Sequence, residues 1–154
     1  MKILLAVDGS PLSDVAVEAV AQRPWPVNSE VRVLTAIEPF TPYLTEMWAT
    51  SNEFWEEMDK ASQEQANNAI NSALERLKTA IEKSLKISTD RVKGNAKHAI
   101  LEEAEKWGAD LIIVGSHGYT GLKRMLLGSV SQAIASHAHC SVEIVRAPAT
   151  IHSE

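Results

Sequence analysis

Four of the chain's seven glycines fall within one stretch of fourteen residues: Gly115, Gly118, Gly121 and Gly128. The full run, residues 115–131, reads GSHGYTGLKRMLLGSVS. Gly115 closes the apolar run DLIIVG, where a missing side chain lets a sugar or phosphate approach the backbone. Gly118 and Gly121 permit a turn with positive φ and outward N–H groups, the geometry of an anion-binding nest. Gly128 and Ser129 fall where the next helix should begin. Its unpaired amides and positive dipole end favour a phosphate there by about 0.3–1 kcal/mol per charge. Ser129 and Ser131 add hydroxyl donors, so the parts sum to a site for a di- or triphosphate. Taken one by one, these glycines equally suit the strand ends and helix starts of any parallel α/β domain, and Ser129 suits a plain cap.

Other residues that could do chemistry are few. Asp8, in the turn DGSP, either faces a ligand or bonds the turn amides of Gly9 and Ser10. His117 lies inside the glycine stretch and either touches a phosphate or faces solvent. His98, His137, His139 and His152 show no ligand spacing with a carboxylate or cysteine, so no metal site is expected. Cys140, the single cysteine, has no evident basic partner for thiolate chemistry. The pattern G-x-x-x-x-G-K-[ST] is absent, as is any kinase motif set, and no catalytic residue is assigned. Lys123 and Arg124 form a close basic pair beside the glycines.

The elements that must position these residues alternate along the chain. Residues 2–8, KILLAVD, read as a buried strand, followed by Ser10 as N-cap and Pro11 at the first helical position. Leu12, Val15, Ala16, Ala19 and Val20 keep the stripe of an amphipathic helix that Pro24 and Pro26 stop. Residues 30–37 form a second strand. A long helix from about Asn52 to Leu85 carries Ala66, Ile70, Ala73, Leu74, Leu77 and Ile81 on one face. A short strand at roughly 90–94 precedes a helix capped by Asn95 and closed by Gly108. DLIIVG, a helix through Val130, Ala133, Ile134 and Ala138, and a last strand at 141–146 complete the series.

Five strands with interleaved helices predict one α/β domain over residues 1–148: a three-layer α/β/α, doubly wound, Rossmann-like fold on a five-stranded parallel sheet. Ligands of such sheets bind outside the carboxyl ends of strands where the winding reverses. That selects the loops after the first strand (Asp8–Pro11) and after the fourth (Gly115 onward). Residues 149–154 read as a loose tail. The segment 39–56 is the least regular and holds five of the eight aromatics, Phe40, Tyr43, Trp48, Phe54 and Trp55. It reads either as a loop packed on its neighbours or as a partner surface.

Composition narrows the classes. Apolar residues make up 45% and charged residues 23%, the proportions of an ordinary globular chain. A net charge of −5 repels a phosphate backbone, and Lys123 with Arg124 suits a small anion better than a duplex, so no nucleic acid is expected as a partner. No stretch approaches a membrane span. A single cysteine and no signal pattern point to the cytoplasm.

The spacing of Gly115, Gly118 and Gly128-Ser129 (glycine, two residues, glycine, nine residues, Gly-Ser) resembles the nucleotide-binding signature of the universal stress protein family. The resemblance runs along nearly the whole chain, from ILLAVDGS at its start to GADLIIVGSHGYTGLKRMLLGSVSQAIASHAHCSVEIVR at its end. It implies that Asp8 with Ala6 and Val7, and Ala36 in TAIE, hold the adenine side of ATP, ADP or AMP, with or without magnesium. Gly115, Ser116, His117, Gly118, Gly128, Ser129, Val130 and Ser131 then hold ribose and phosphates. The intact spacing resembles the ATP-binding branch. The resemblance also implies a homodimer through the last strand, where this chain departs by carrying Ser141 and Glu143. A binding module whose loop is ordered by its ligand is the expectation, acting on an unknown downstream partner. Its rivals are a slow ATPase or self-phosphorylating protein, and a nucleotide-independent interaction module built on residues 40–55.

Overall fold

The computed structural model describes residues 1–39, 51–82, 85–118 and 127–147. Its elements are β1 (Lys2–Ala6), α1 (Pro11–Gln22), β2 (Glu30–Ile37), α2 (Asn52–Glu82), β3 (Lys86–Lys93), α3 (Ala96–Trp107), β4 (Leu111–Gly115), α4 (Ser129–His137) and β5 (Ser141–Val145). All five strands run parallel in the order β3-β2-β1-β4-β5. Each parallel connection requires a crossover, and the helices supply it on both faces, giving the doubly wound α/β fold.

Alternation along the strands decides which face each helix covers. Ile3, Leu5, Val31, Val33 and Ile113 point to α1 and α2, meeting Val17, Val20, Ile70, Ala73 and Leu77. Leu4, Leu34, Ile112 and Val114 point the other way, onto Ile100, Ala104 and Ile134 of α3 and α4. A strand stretch buried on both sides is apolar, hence the unbroken ILLA and LIIVG runs. Each such Leu or Ile contributes about 1.5–3 kcal/mol of transfer free energy.

Chain ends of elements follow local chemistry. Ser10 caps α1, its Oγ accepting from the Ser13 N–H at 3.3 Å, with Pro11 at the first turn. Gly108 closes α3 in the left-handed region, φ 71°. Asn95 stands at the start of α3 but makes no side-chain cap. The Ala96 N–H donates instead to Glu38 Oε1 at 2.8 Å, so a residue beyond β2 does the capping.

The third strand corrects the expected span of 90–94. It begins at Lys86, and all eight of its residues pair with β2, from Glu30↔Lys86 to Ile37↔Lys93. ISTD carries no apolar run because β3 is an edge strand with mostly exposed side chains. Phe54 and Trp55 lie on α2 rather than in an irregular segment, stacked edge to face at 5.9 Å. Phe40, Tyr43, Trp48, the Gly121–Lys123–Arg124 stretch and the tail 149–154 lie outside the described residues.

The 31 residues of α2 span about 46 Å, against about 26 Å for the eight of β2. The helix starts after β2's carboxyl end and returns to β3's amino end, so its first half projects past the sheet. Its first buried residue is Ala66. That overhang becomes a wall of the site.

Candidate functional site

The chain leaves β1 for β2 and β3 on one side and returns to β4 and β5 on the other, so the winding reverses between β1 and β4. Above that point lies a cleft of about 500 Å³, within the range of small-molecule sites. Ala6, Val7 and Asp8 enter it from β1, Ala36 from β2, Gly115, His117 and Gly118 from β4, and Gly128, Ser129, Val130 and Ser131 from α4. Eleven of the twelve residues named from the sequence thus line one cavity. The twelfth, Ser116, is buried beneath it.

Two helices begin at this cleft, and their amino ends differ. That of α1 carries a side-chain cap: Ser10 Oγ accepts from the Ser13 N–H, the Ser10 N–H donates to Asp8 Oδ1 at 2.9 Å, and the Asp8 N–H donates to Ser13 Oγ at 3.2 Å. Asp8 therefore does bond the turn, with one of its two oxygens. The amino end of α4 has Gly128 at its cap position and no side-chain cap. Its first intrahelical bond runs from the Gln132 N–H to the Gly128 carbonyl at 2.9 Å. The amides of Ser129, Val130 and Ser131 precede that bond at the mouth of the cleft, the arrangement that receives an anion.

Ser116 holds the base of the loop. Its carbonyl accepts the Gly128 N–H at 2.7 Å and the Ser131 hydroxyl at 2.9 Å, while its own N–H donates to the Val145 carbonyl of β5 at 2.9 Å. Ser131 Oγ also lies 3.0 Å from the Gly128 carbonyl. Its single proton is thus engaged within the loop, which corrects the expectation of a hydroxyl donor to ligand. Ser129, exposed at the start of α4, retains that option.

The glycines also act differently from expectation. A Cβ on Gly115 would lie 2.7 Å from the Leu12 carbonyl oxygen and 3.0 Å from the Ser13 nitrogen, so the residue is bare because α1 crosses it. Gly118 does not adopt the positive φ of a nest; among described glycines Gly9, Gly94 and Gly108 do. What Gly118 lacks is room: a Cβ there would sit 2.6 Å from Asp8 Oδ2. A Cβ on Gly128 would press on Ser116 O and His117 Cα, both at 3.2 Å. His117 Nδ1 lies 3.2 Å from Ser116 Oγ, inside the cleft.

Sequence reasoning missed the α2 and α3 walls. Ser62, Gln65 and Ala66 line the cleft from α2, Ala96 and Ile100 from α3, and Thr35, Ile37 and Glu38 from the end of β2. Glu38 follows Ala36 closely enough to have been suspected. Gln65 gives no local signal, since only the overhang of α2 brings it there. Among the described residues the cleft is lined by no lysine or arginine, and no three His, Cys, Asp or Glu side chains gather as a metal set. Cys140 is half-buried, and that burial pushes its thiol up, away from thiolate chemistry.

A parallel sheet with an open helix terminus and a glycine loop at its switch point defines the class of Rossmann-like ligand-binding domains. Within it, residues 1–146 match the model of the universal stress protein family, and the chain belongs to that family. It is 33% identical over 147 residues to Universal stress protein MJ0531 of Methanocaldococcus jannaschii, covering 96% of this chain and 82% of that one. Among solved structures it resembles hypothetical protein MJ0577, with TM-score 0.79 and 29% identity over 97% of both chains. It also resembles a universal stress protein in complex with cAMP, with TM-score 0.67 and 25% identity over 94% of this chain and 96% of the other. Among the described residues no helix is long and apolar enough to cross a membrane.

Proposed function

We propose that this chain binds an adenine nucleotide (ATP, ADP or AMP) in the switch-point cleft and signals its occupancy by a change of conformation. The single observation that carries this reading is the uncapped amino end of α4 opening on a cleft that the Asp8 carboxylate also lines. One wall offers amide donors to an anion and the other offers an acceptor to a base or sugar. A related protein solved with cAMP supports the ligand class. Asp8, Ala6, Val7 and Ala36 take the adenine side. Gly115, His117, Gly118, Gly128, Ser129, Val130 and Ser131 surround ribose and phosphates, with Ser116 behind them. Magnesium enters this reading only as an ion carried by the phosphates.

Phosphoryl transfer needs a positioned base and a metal-holding acid near the leaving group. Among the described residues the cleft's carboxylates are Asp8 and Glu38, both on the side assigned to adenine, so holding is favoured over cleaving. One domain over residues 1–148 and a cytoplasmic location belong to the same reading.

A homodimer through β5 belongs to the same reading, and the two sheet edges support it. β3 carries Lys86, Asp90, Arg91 and Lys93 along eight residues, a guard against pairing. β5 carries one charge, Glu143, in five.

The test is to denature purified protein and identify released nucleotide by chromatography, alongside titration of a fluorescent ATP analogue. Binding near the micromolar range is expected, about −8 kcal/mol. Protein that ignores ATP, ADP and AMP alike sinks the reading. Phosphate release with ATP and magnesium would restore the slow-ATPase alternative.

A further inference from the structure

The sole charge on β5 is not a bare acid. Both Glu143 oxygens accept from Arg23, Nη2 to Oε1 and Nη1 to Oε2, each at 2.6 Å. Arg23 sits at the carboxyl end of α1 and lies over the Trp25 ring at 5.1 Å, which fixes the guanidinium from its other side. Fork-to-fork contacts of this kind are the strong form of ion pair.

We infer that the Arg23–Glu143 pair is what permits β5 to pair with a second copy of this chain. The inference rests on the dimer reading above and adds its determinant. An antiparallel ladder using all five residues of β5 about a two-fold axis puts Val142 opposite the second copy's Ile144, and Glu143 opposite its own counterpart. Directly opposed side chains on adjacent strands lie about 4.5–5.5 Å apart, and like charges there are destabilising. With Arg23 clamped on each carboxylate, two neutral pairs meet in place of two anions. Val142 and Ile144, partly buried against the α3–α4 core, supply two apolar cross-strand pairs on the other face. Among the described residues β5 pairs with β4 alone, which leaves its outer edge open for this ladder.

The experiment is sedimentation velocity on the full chain across a concentration series, with circular dichroism to verify folding. Wild type is expected to self-associate, Arg23→Gln to weaken association at least tenfold, and Glu143→Gln to match or exceed wild type. The exchanged pair, Arg23→Glu with Glu143→Arg, should recover association to within a few-fold. Should Arg23→Gln fail to fold, Glu143→Lys beside an intact Arg23 tests the same charge balance and is expected to be monomeric. Wild type and Glu143→Gln both monomeric at hundreds of micromolar would sink the dimer reading itself. A wild-type dimer that Arg23→Gln leaves untouched overturns only the role given to the ion pair. So does a wild-type monomer that dimerises on Glu143→Gln, because Glu143 is then a guard and not a neutralised passenger.

Discussion

Replacing Gly118 by Ala separates binding from folding. The added Cβ would lie 2.6 Å from Asp8 Oδ2, about 0.8 Å inside ordinary contact. Asp8 cannot simply rotate away, because its Oδ1 holds the Ser10 N–H at 2.9 Å at the start of α1. Relief must come from turning the carboxylate off its line into the cleft or from lifting the loop at Gly118. Either way a hydrogen bond to a charged acceptor is lost from the ligand's side, worth about 1.5–3 kcal/mol. Affinity for a fluorescent ATP analogue should therefore fall about ten- to a hundredfold. Gly118 is exposed, so unfolding free energy should move by less than about 1 kcal/mol. Gly115→Ala is the contrast: its Cβ meets backbone of α1 at 2.7–3.0 Å, which cannot swing aside. It should cost about 1–3 kcal/mol of stability, read in urea unfolding. Wild-type affinity in Gly118→Ala, with Asp8 present, would refute the placement of Asp8 and Gly118 as one wall of the site.

Ser131→Ala removes the hydroxyl that joins Ser116 to α4. Titration should show weaker nucleotide binding, and Ser131→Thr should restore it; equal loss in both means the side chain's volume matters and not its bond. Arg32 pairs with Glu103, which is nine-tenths buried, and lies over Trp107 at 4.4 Å. Arg32→Ala leaves that carboxylate, among the described residues, with only Lys106 at 3.8 Å and should cost about 3 kcal/mol in denaturant unfolding, more than Glu103→Ala does. Arg23 holds the Glu143 carboxyl below its ordinary range. Its stabilising effect is therefore complete above the unfolded carboxylate range and is lost as pH falls through the depressed folded value. An acid titration of thermal stability should show a shallower low-pH loss in Glu143→Gln than in wild type.

The fold was legible because central strands buried on two faces must be apolar throughout, and their turns and caps carry Gly, Ser and Pro. β3 was cut short because an edge strand needs no such run, so ISTD looked like a loop. The site was legible wherever a residue's role is set within a few positions, as for Asp8 with Ser10 or Gly128 with Ser129. It failed where the deciding contact is distant in sequence. Gly115 is bare for the sake of Leu12, about a hundred residues earlier, and Gln65 reaches the cleft because α2 outruns the strand beside it. Glu143 stood out only as a departure from the family's last strand, because the Arg23 that holds it lies 120 residues away.

The charge of a bound phosphate must still be met. The described lining of the cleft offers two acids, Asp8 and Glu38, and His117 as its only basic side chain. The first-turn amides of α4 are then the main counterweight, with partial charge that the helix cannot spend internally. Lys123 and Arg124, eight and nine residues past Gly115 in sequence, are the competing explanation. An ion pair of the ordinary surface kind adds at most about 1 kcal/mol to a contact, roughly fivefold in affinity. If the amides carry the phosphate, Lys123→Ala with Arg124→Ala should weaken binding by less than about thirtyfold. The loss should shrink further as salt is raised from 50 to 300 mM. A loss beyond a hundredfold at physiological salt would move the anion from the helix terminus to the basic pair. The uncapped end of α4 would then be a consequence of Gly128 packing on Ser116 and not the seat of binding.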